Sequence, residues 1–185
     1  MRHIIALLTL LLMVAPVLAV DGNTSLKILA NTSKVLDLGT VSFPLNWTST
    51  QAWTDGTGAG KYQIAWTDTR TTDGTGEDLD LAGVLKDAFG QTLTFTVLKV
   101  IAVSASSSNT QPILIGAGGH PVAGLFGDTA SDIIKVRPGG TITIVAPDAT
   151  GYPVTANSAD DLMIKAGATA SVTYSIMVLG EGSGS

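Results

Sequence analysis

The side chains that could carry chemistry are few and lie far apart in the sequence. His120 is the only histidine after residue 19, and the chain has no cysteine. A histidine-based triad or metal site would therefore have to use His120, with partners that the nearby sequence does not supply. Glycines precede it and Pro121 follows it, so we expect a loop histidine. The lack of cysteine excludes disulfides, zinc–thiolate sites and thiol nucleophiles.

One acidic group could bind Ca²⁺ through carboxylate oxygens. It comprises Asp73, Glu77, Asp78 and Asp80. The group lacks the ligand order of an EF-hand, and strand alternation separates its last two aspartates from the leucines that follow them. We therefore predict a solvated strand face and no metal site here.

We interpret the remaining acidic residues as turn and strand-end residues in preference to metal ligands. They include Asp128 and Asp132, and the adjacent pair Asp160 and Asp161. A catalytic pair of carboxylates for glycoside hydrolysis remains an open alternative, because the distance between the two groups depends on the fold and cannot be read from their spacing in the sequence.

Two glycine-rich segments resemble phosphate-binding loops only superficially. Asp55–Lys61 has Asp55 where a Walker A motif needs glycine, and Tyr62 where it needs serine or threonine. Gly116–Gly119 is followed by His120 and Pro121 and by no helical pattern, so it does not fit a dinucleotide fingerprint. We predict no cofactor at either segment.

The three tryptophans are candidates for burial, subunit contact or sugar stacking. Trp66 lies in a strand-like segment and should be part of the core. Trp47 and Trp53 lie in loop-like sequence and are our candidates for a surface or partner contact. We favour core or subunit contact over carbohydrate contact. No catalytic, cofactor-binding or metal-binding residue is predicted.

Composition indicates one folded, acidic domain. The chain has 185 residues, of which 14% are charged, and a net charge of −5. This length is sufficient for a sizeable core. No cluster of lysine and arginine is present, which argues against a nucleic-acid-binding surface.

Met1–Ala19 has the layout of a secretory signal peptide. Arg2 precedes the apolar run Ile4–Val14, Pro16 ends it, and small or apolar residues precede a cleavage site after Ala19. The apolar run is short for a membrane span, which needs about 20 residues. We expect a cleaved signal helix and an exported mature protein, periplasmic, extracellular or part of a virion, that does not span a membrane.

Residues 133–156 show the clearest strand pattern. Ile133–Val136 is β-branched, Thr141–Val145 alternates hydroxyl and aliphatic side chains, and Val154–Ala156 resumes extended chain. Proline- and glycine-containing turns separate them. We interpret the unit as three antiparallel strands.

The rest of the chain favours strands as well. Thr92–Ala105 is the longest candidate, and Ser171–Leu179 closes the domain. Val35–Phe43 alternates as a strand, whereas Gly83–Phe89 could form one helical turn. We predict an all-β fold: a single antiparallel, jelly-roll-like β-sandwich of nine to eleven strands over residues 20–180, with a flexible tail at 181–185.

Three segments carry a resemblance to a known family. They are DLDLAGVLKDAFGQTLTF (Asp78–Phe95), VRPGGTITIVAPDATGYPVTA (Val136–Ala156) and SVTYSIMVLG (Ser171–Gly180). The pattern resembles a family of small phage and prophage proteins that are taken to be virion structural components. Family members usually begin directly with the β domain, whereas this chain begins with an export signal.

The resemblance implies a non-enzymatic protein that associates with itself and with other subunits of a phage-type particle, on a capsid or a tail. We expect a homo-oligomer. The alternative is an exported binding module for glycans or a cell surface that uses Trp47 or Trp53. A hydrolase with carboxylate catalysis is a third hypothesis.

Overall fold

The computed structural model describes residues 21–37, 39–116, 118–127, 129 and 131–184. Thirteen β-strands account for most of this part of the chain. No helix among the described residues is long and apolar enough to cross a membrane. The strands are β1 (Gly22–Leu36), β2 (Gly39–Asp55), β3 (Lys61–Tyr62), β4 (Ile64–Thr72), β5 (Glu77–Asp80), β6 (Ala82–Lys86), β7 (Thr92–Ala105), β8 (Ile113–Gly116), β9 (Ile133–Val136), β10 (Thr141–Val145), β11 (Tyr152–Pro153), β12 (Asp161–Ala166) and β13 (Val172–Gly184).

Two antiparallel sheets form a β-sandwich. One sheet has the order β10-β7-β13-β4, with β6 and β11 also pairing with β7, and the other has the order β5-β12-β8-β9. Their facing side chains share one apolar core, to which Phe95 of β7, Ile115 of β8 and Ile164 of β12 contribute. The prediction of an all-β antiparallel sandwich is confirmed.

The central strand β7 shows how the sequence builds this core. Its first half alternates, so that Leu93 and Phe95 are buried between partly exposed threonines. From Leu98 to Ile101 every residue is buried, because β10 and β13 flank the strand and the rings of Trp53 and Tyr62 pack against Val100 on its outer face. Each fully buried aliphatic side chain stabilises the fold by roughly 1.5–3 kcal/mol.

Strands β1 and β2 form a separate two-stranded hairpin, here called the arm. They pair from Gly22 opposite Trp53 to Leu36 opposite Gly39. The arm joins β3 by a short parallel pairing at Thr54 and Asp55. We had expected one strand over Val35–Phe43. This prediction is wrong, because the chain reverses within that range and pairs with itself.

The interpretation of residues 133–156 as one three-stranded unit is also wrong. Ile133–Val136 pairs with β8 in the four-stranded sheet, whereas Thr141–Val145 pairs with β7 in the six-stranded sheet. The turn around Gly139 therefore crosses from one layer to the other. The first two strands were predicted correctly, whereas the third, expected at Val154–Ala156, is β11 at Tyr152–Pro153. Periodicity does not specify which strands pair.

Two local predictions need correction. The segment Gly83–Phe89, expected to form one helical turn, instead comprises most of the irregular strand β6 against β7 and the start of the turn that follows it. Residues 181–184, expected to be a flexible tail, continue β13 and pair with β7, and Glu181 is buried. The expected signal helix at 1–19 lies outside the described residues.

Candidate functional site

The base of the arm is fastened to the sandwich by two aromatic residues. Trp53 and Tyr62 pack edge to face with ring centroids 6.4 Å apart, and Val100 of β7 completes their cluster. The Trp53 indole donates a hydrogen bond of 2.8 Å to the Thr24 hydroxyl, and the Tyr62 hydroxyl donates one of 3.1 Å to the Asp21 carbonyl. The arm therefore leaves the body from a fixed point.

Above this base, the two faces of the arm differ in polarity. Paired residues of an antiparallel ladder share a face, and the side-chain period is two. The register therefore gathers most apolar side chains on one face, here called the apolar face: Leu26, Ile28, Ala30, Leu36, Val41, Phe43, Leu45 and Trp47. The opposite face is mostly serine, threonine, asparagine and Lys27, with Leu29, Val35, Pro44 and Ala52 as its apolar members, whereas Lys34 lies on the apolar face.

The apolar face has no cover within the described residues. Ile28, Phe43 and Trp47 are 54%, 64% and 53% exposed. Apart from the pairing of Thr54 and Asp55 with β3, neither outer edge of the hairpin pairs with another described strand. The arm thus presents both an apolar surface and unpaired backbone groups, and each is a basis for association with another chain.

A cleft of about 440 Å³ lies where the apolar face meets the outer surface of the six-stranded sheet. The arm contributes Leu26 and Trp47 to it, and the sheet contributes Val145, Met177 and Leu179. Val145 and Met177 are themselves partly exposed. Apolar surface therefore continues from the arm onto the body.

The structure separates the two tryptophans that we proposed as contact residues. Trp47 is exposed in the middle of the arm, as a surface contact requires. Trp53 is 2% exposed and anchors the base, so it is not available at the surface. Both belong to one strand, and the expectation of loop positions is wrong. Trp66 is buried in β4, as predicted.

The segment that resembled a phosphate loop has a structural role. The Gly58 amide donates a hydrogen bond of 2.8 Å to the Glu181 carboxylate, and the Gly60 amide donates one to the Pro147 carbonyl. The buried Lys99 ammonium lies 3.2 Å from the same Glu181 oxygen, and donates to the Asp148 carbonyl at 2.7 Å. These contacts hold the base of the arm against the sandwich.

His120 has acidic neighbours that the sequence did not indicate. A ring nitrogen of His120 and one carboxylate oxygen each of Asp160 and Asp161 lie within 4.8 Å of one another. The His120 backbone amide donates to Asp161 Oδ2 at 2.9 Å, and its carbonyl accepts the amides of both aspartates. Oδ2 of the buried Asp160 accepts the Asn157 amide, whereas its Oδ1 has no hydrogen-bond partner.

The four acids of the expected Ca²⁺ candidate do not assemble into such a group in the described part of the chain. Glu77 instead accepts hydrogen bonds from Arg70 and from the Tyr174 hydroxyl, at 2.7 and 2.8 Å. Asp73 accepts the amide of Thr75 in its own turn. The prediction of a polar strand face is consistent with this arrangement.

Asp78 and Asp80 lie on the same sheet face as Asp161. Asp80 is directly opposite Asp161 in the ladder between β5 and β12, and Asp78 is diagonal to it. Burial raises the pKa of the Asp78 carboxyl, and the negative charge of Asp161 raises it further. The site around His120 is therefore rich in negative charge.

The remaining acidic candidates keep structural roles or fall outside the structure. Asp132 accepts the Thr129 amide at 3.0 Å and shapes its own loop. Asp128 lies outside the described residues. Asp68, Asp78 and Asp80 line a cleft of about 300 Å³, and Asp68 and Asp87 line another of about 310 Å³, so the hydrolase hypothesis stays an untested prediction.

Comparison of the chain with protein-family profiles, with curated proteins and with solved structures finds no match.

Proposed function

We propose that this protein is a non-enzymatic structural subunit that assembles through its arm, as a capsid- or tail-associated component of a phage-type particle. One observation carries the proposal: the amphipathic hairpin β1–β2 presents an apolar face that the other described residues of the chain leave uncovered. An isolated two-stranded hairpin is marginally stable in water, and one with an apolar face needs a partner surface.

A second copy of the chain is the partner that fits the face best. The 15 residues of β1 rise by about 3.3 Å each, so the arm is roughly 50 Å long and about 10 Å wide. One face offers about 500 Å², and an arm on a partner would remove about 1,000 Å² from water in total. Two reciprocally exchanged arms would double this area, which reaches the range of stable interfaces.

Charge complementarity also favours a second copy. Strand β1 carries Lys27 and Lys34 and no acidic residue, while Asp37 lies in the turn of the arm and Asp55 ends β2. Residues 56–185 carry twelve acidic and seven basic residues. The two lysines of β1 are attracted to the negatively charged body of another copy more than to the lysines of another arm.

The particle setting rests on the sequence resemblance to phage and prophage virion proteins. In a symmetric particle, each contact is repeated many times, so moderate affinity per arm gives a stable assembly. The cysteine-free chain has no disulfides to stabilise it outside the cytoplasm, and assembly supplies burial in their place.

The test is to sediment particles from the culture medium of the producing organism and to identify their proteins by mass spectrometry. We expect the chain in the particle fraction, with its N-terminus near residue 20. Its occurrence only as a free monomer, in the medium or in the cell, would contradict the proposal.

A second candidate is an exported glycan- or surface-binding module. The observation that favours it is the exposed indole of Trp47 beside a cleft that also contains the polar side chains of Thr24, Ser49 and Gln51. Stacking on Trp47 predicts that Trp47→Ala abolishes binding on a glycan array while a Trp47→Phe variant retains part of it. An array without hits would remove this candidate.

A further inference from the structure

Independently of the assembly role, we propose that His120, Asp160 and Asp161 form a binding site for a divalent transition-metal cation, of which Zn²⁺ is the best representative. The three donor groups come from two segments that are 40 residues apart in the chain. The parallel bridge between Pro121 and Asp161 holds these segments together.

The geometry requires only a small adjustment to close around an ion. The three donor atoms already lie within 4.8 Å of one another. A cation that is about 2.1 Å from each ligand in tetrahedral geometry needs donor atoms roughly 3.4 Å apart. The His120 ring is more than half exposed and can rotate inward, whereas the two aspartates are held by backbone hydrogen bonds.

The second observation is the state of the Asp160 carboxylate. This side chain is buried, and Oδ1 has no hydrogen-bond partner. A buried acceptor without a partner costs free energy, and more so when it is charged. Its only side-chain hydrogen bond is the Asn157 amide on Oδ2. A cation bound at the group would satisfy the free oxygen and neutralise the charge together.

The negative charges around this group also favour a bound cation. Asp80 and Asp161 face each other across a ladder, where like charges destabilise the pairing. No lysine or arginine among the described residues forms an ion pair with Asp78, Asp80, Asp160 or Asp161. A bound dication would offset this repulsion.

The donor set selects the class of ion. One imidazole and two carboxylates suit Zn²⁺ and its first-row neighbours, whereas Ca²⁺ prefers an all-oxygen shell with more ligands. Because three protein groups leave at least one position for water, the site resembles an open centre in ligand number. Its evident effect is to cross-link the His120 loop to the turn before β12.

The test uses tag-free full-length protein that has been treated with a chelator and dialysed, with Zn²⁺ alone as the probe. Isothermal titration calorimetry should show one site per chain, and the unfolding temperature should rise with added Zn²⁺. The His120→Ala variant should bind at least roughly tenfold more weakly. Asp55→Asn, which removes an exposed charge elsewhere, should bind as the wild type does.

Asp160→Asn distinguishes a ligand from a merely structural residue. Without metal, this variant should be at least as stable as the wild type, because it removes an unpaired buried charge. With Zn²⁺, it should show little rise in unfolding temperature. No heat of binding in the wild type, or equal binding by His120→Ala, would overturn the proposal and would indicate that a proton or water satisfies Asp160.

Discussion

Ile28 and Trp47 lie directly opposite each other on the arm, and both side chains are more than half exposed. Cross-strand pairs of an aromatic and a β-branched residue stabilise a sheet by up to about 1 kcal/mol, which is little for a hairpin without a third strand. The same pair becomes far more valuable when a partner covers it. The exposed pair is therefore best understood as half of an interface.

The protection of the arm from amide hydrogen exchange should depend on assembly. We expect slow amide hydrogen exchange in β1 and β2 when the protein is assembled, and fast exchange after dilution to the monomer. Strand β7, at the centre of the sandwich, should exchange slowly in both samples and serves as the internal control. Equal, slow exchange of the arm in a monomeric sample would show that the arm needs no partner.

The buried ion pair of Lys99 and Glu181 should contribute strongly to stability. Lys99→Met leaves the Glu181 carboxylate buried without its cation, and removal of one partner of such a pair costs about 3–5 kcal/mol. Urea unfolding monitored by tryptophan fluorescence measures this loss. Lys86→Met removes an exposed lysine from β6 and should change stability little. If both variants lose the same amount, the pair has no special role.

The hydroxyl of Tyr174 should stabilise the edge where the two sheets meet. It donates to Glu77 at 2.8 Å, and Glu77 also accepts from Arg70. Hydrogen bonds to charged groups contribute roughly 1.5–3 kcal/mol, so Tyr174→Phe should lower the free energy of unfolding by about that amount. Tyr152→Phe, whose hydroxyl lies outside this network, is the matched control and should remain near the wild-type value.

Two aspartates should show opposite pH dependence. The folded pKa of Asp78 lies above its ordinary value of 3.8, because of burial and the nearby charge of Asp161. Its native state holds the proton more tightly, so stability decreases as the pH rises through the interval above 3.8. In metal-free protein, Asp78→Asn should therefore be more stable than the wild type at neutral pH, and this advantage should vanish at acidic pH.

Asp148 provides the contrasting case. The Gly151 and Thr150 amides hold the pKa of its carboxyl below the ordinary value of 3.8. The stability that it contributes is present above 3.8 and is lost as the pH falls through the folded pKa. Asp148→Asn should be less stable than the wild type at neutral pH, with a difference that shrinks below pH 3.8. Urea unfolding at a series of pH values measures both variants, and equal signs would contradict the assignment.

Strand periodicity predicted much of the sandwich. Leu93 and Phe95 alternate with threonines, and the apolar second half of β7 indicated a central strand, as the structure shows. The arm was missed for a physical reason. Leu29 and Val35 interrupt its polar face, and Leu36–Gly39 lacks a strong turn dipeptide, so the reversal of the chain resembled continuous alternation.

The group around His120 could not be predicted from spacing. His120 and Asp160 are 40 residues apart, and the pairing of β12 with β8, together with the bridge between Pro121 and Asp161, brings them together. One local signal was present: an adjacent pair of aspartates before a strand places one of them toward the interior. Asp160 is that residue, and its burial is what makes the site chemically distinctive.

The most direct test of the assembly role compares Ile28→Lys with Leu29→Lys by light scattering coupled to size-exclusion chromatography. The two residues are neighbours on β1 with similar exposure, but Ile28 lies on the apolar face and Leu29 on the polar one. We predict that the wild type and Leu29→Lys form oligomers and that Ile28→Lys is a folded monomer. A monomeric wild type, or equal assembly of all three proteins, would contradict the account.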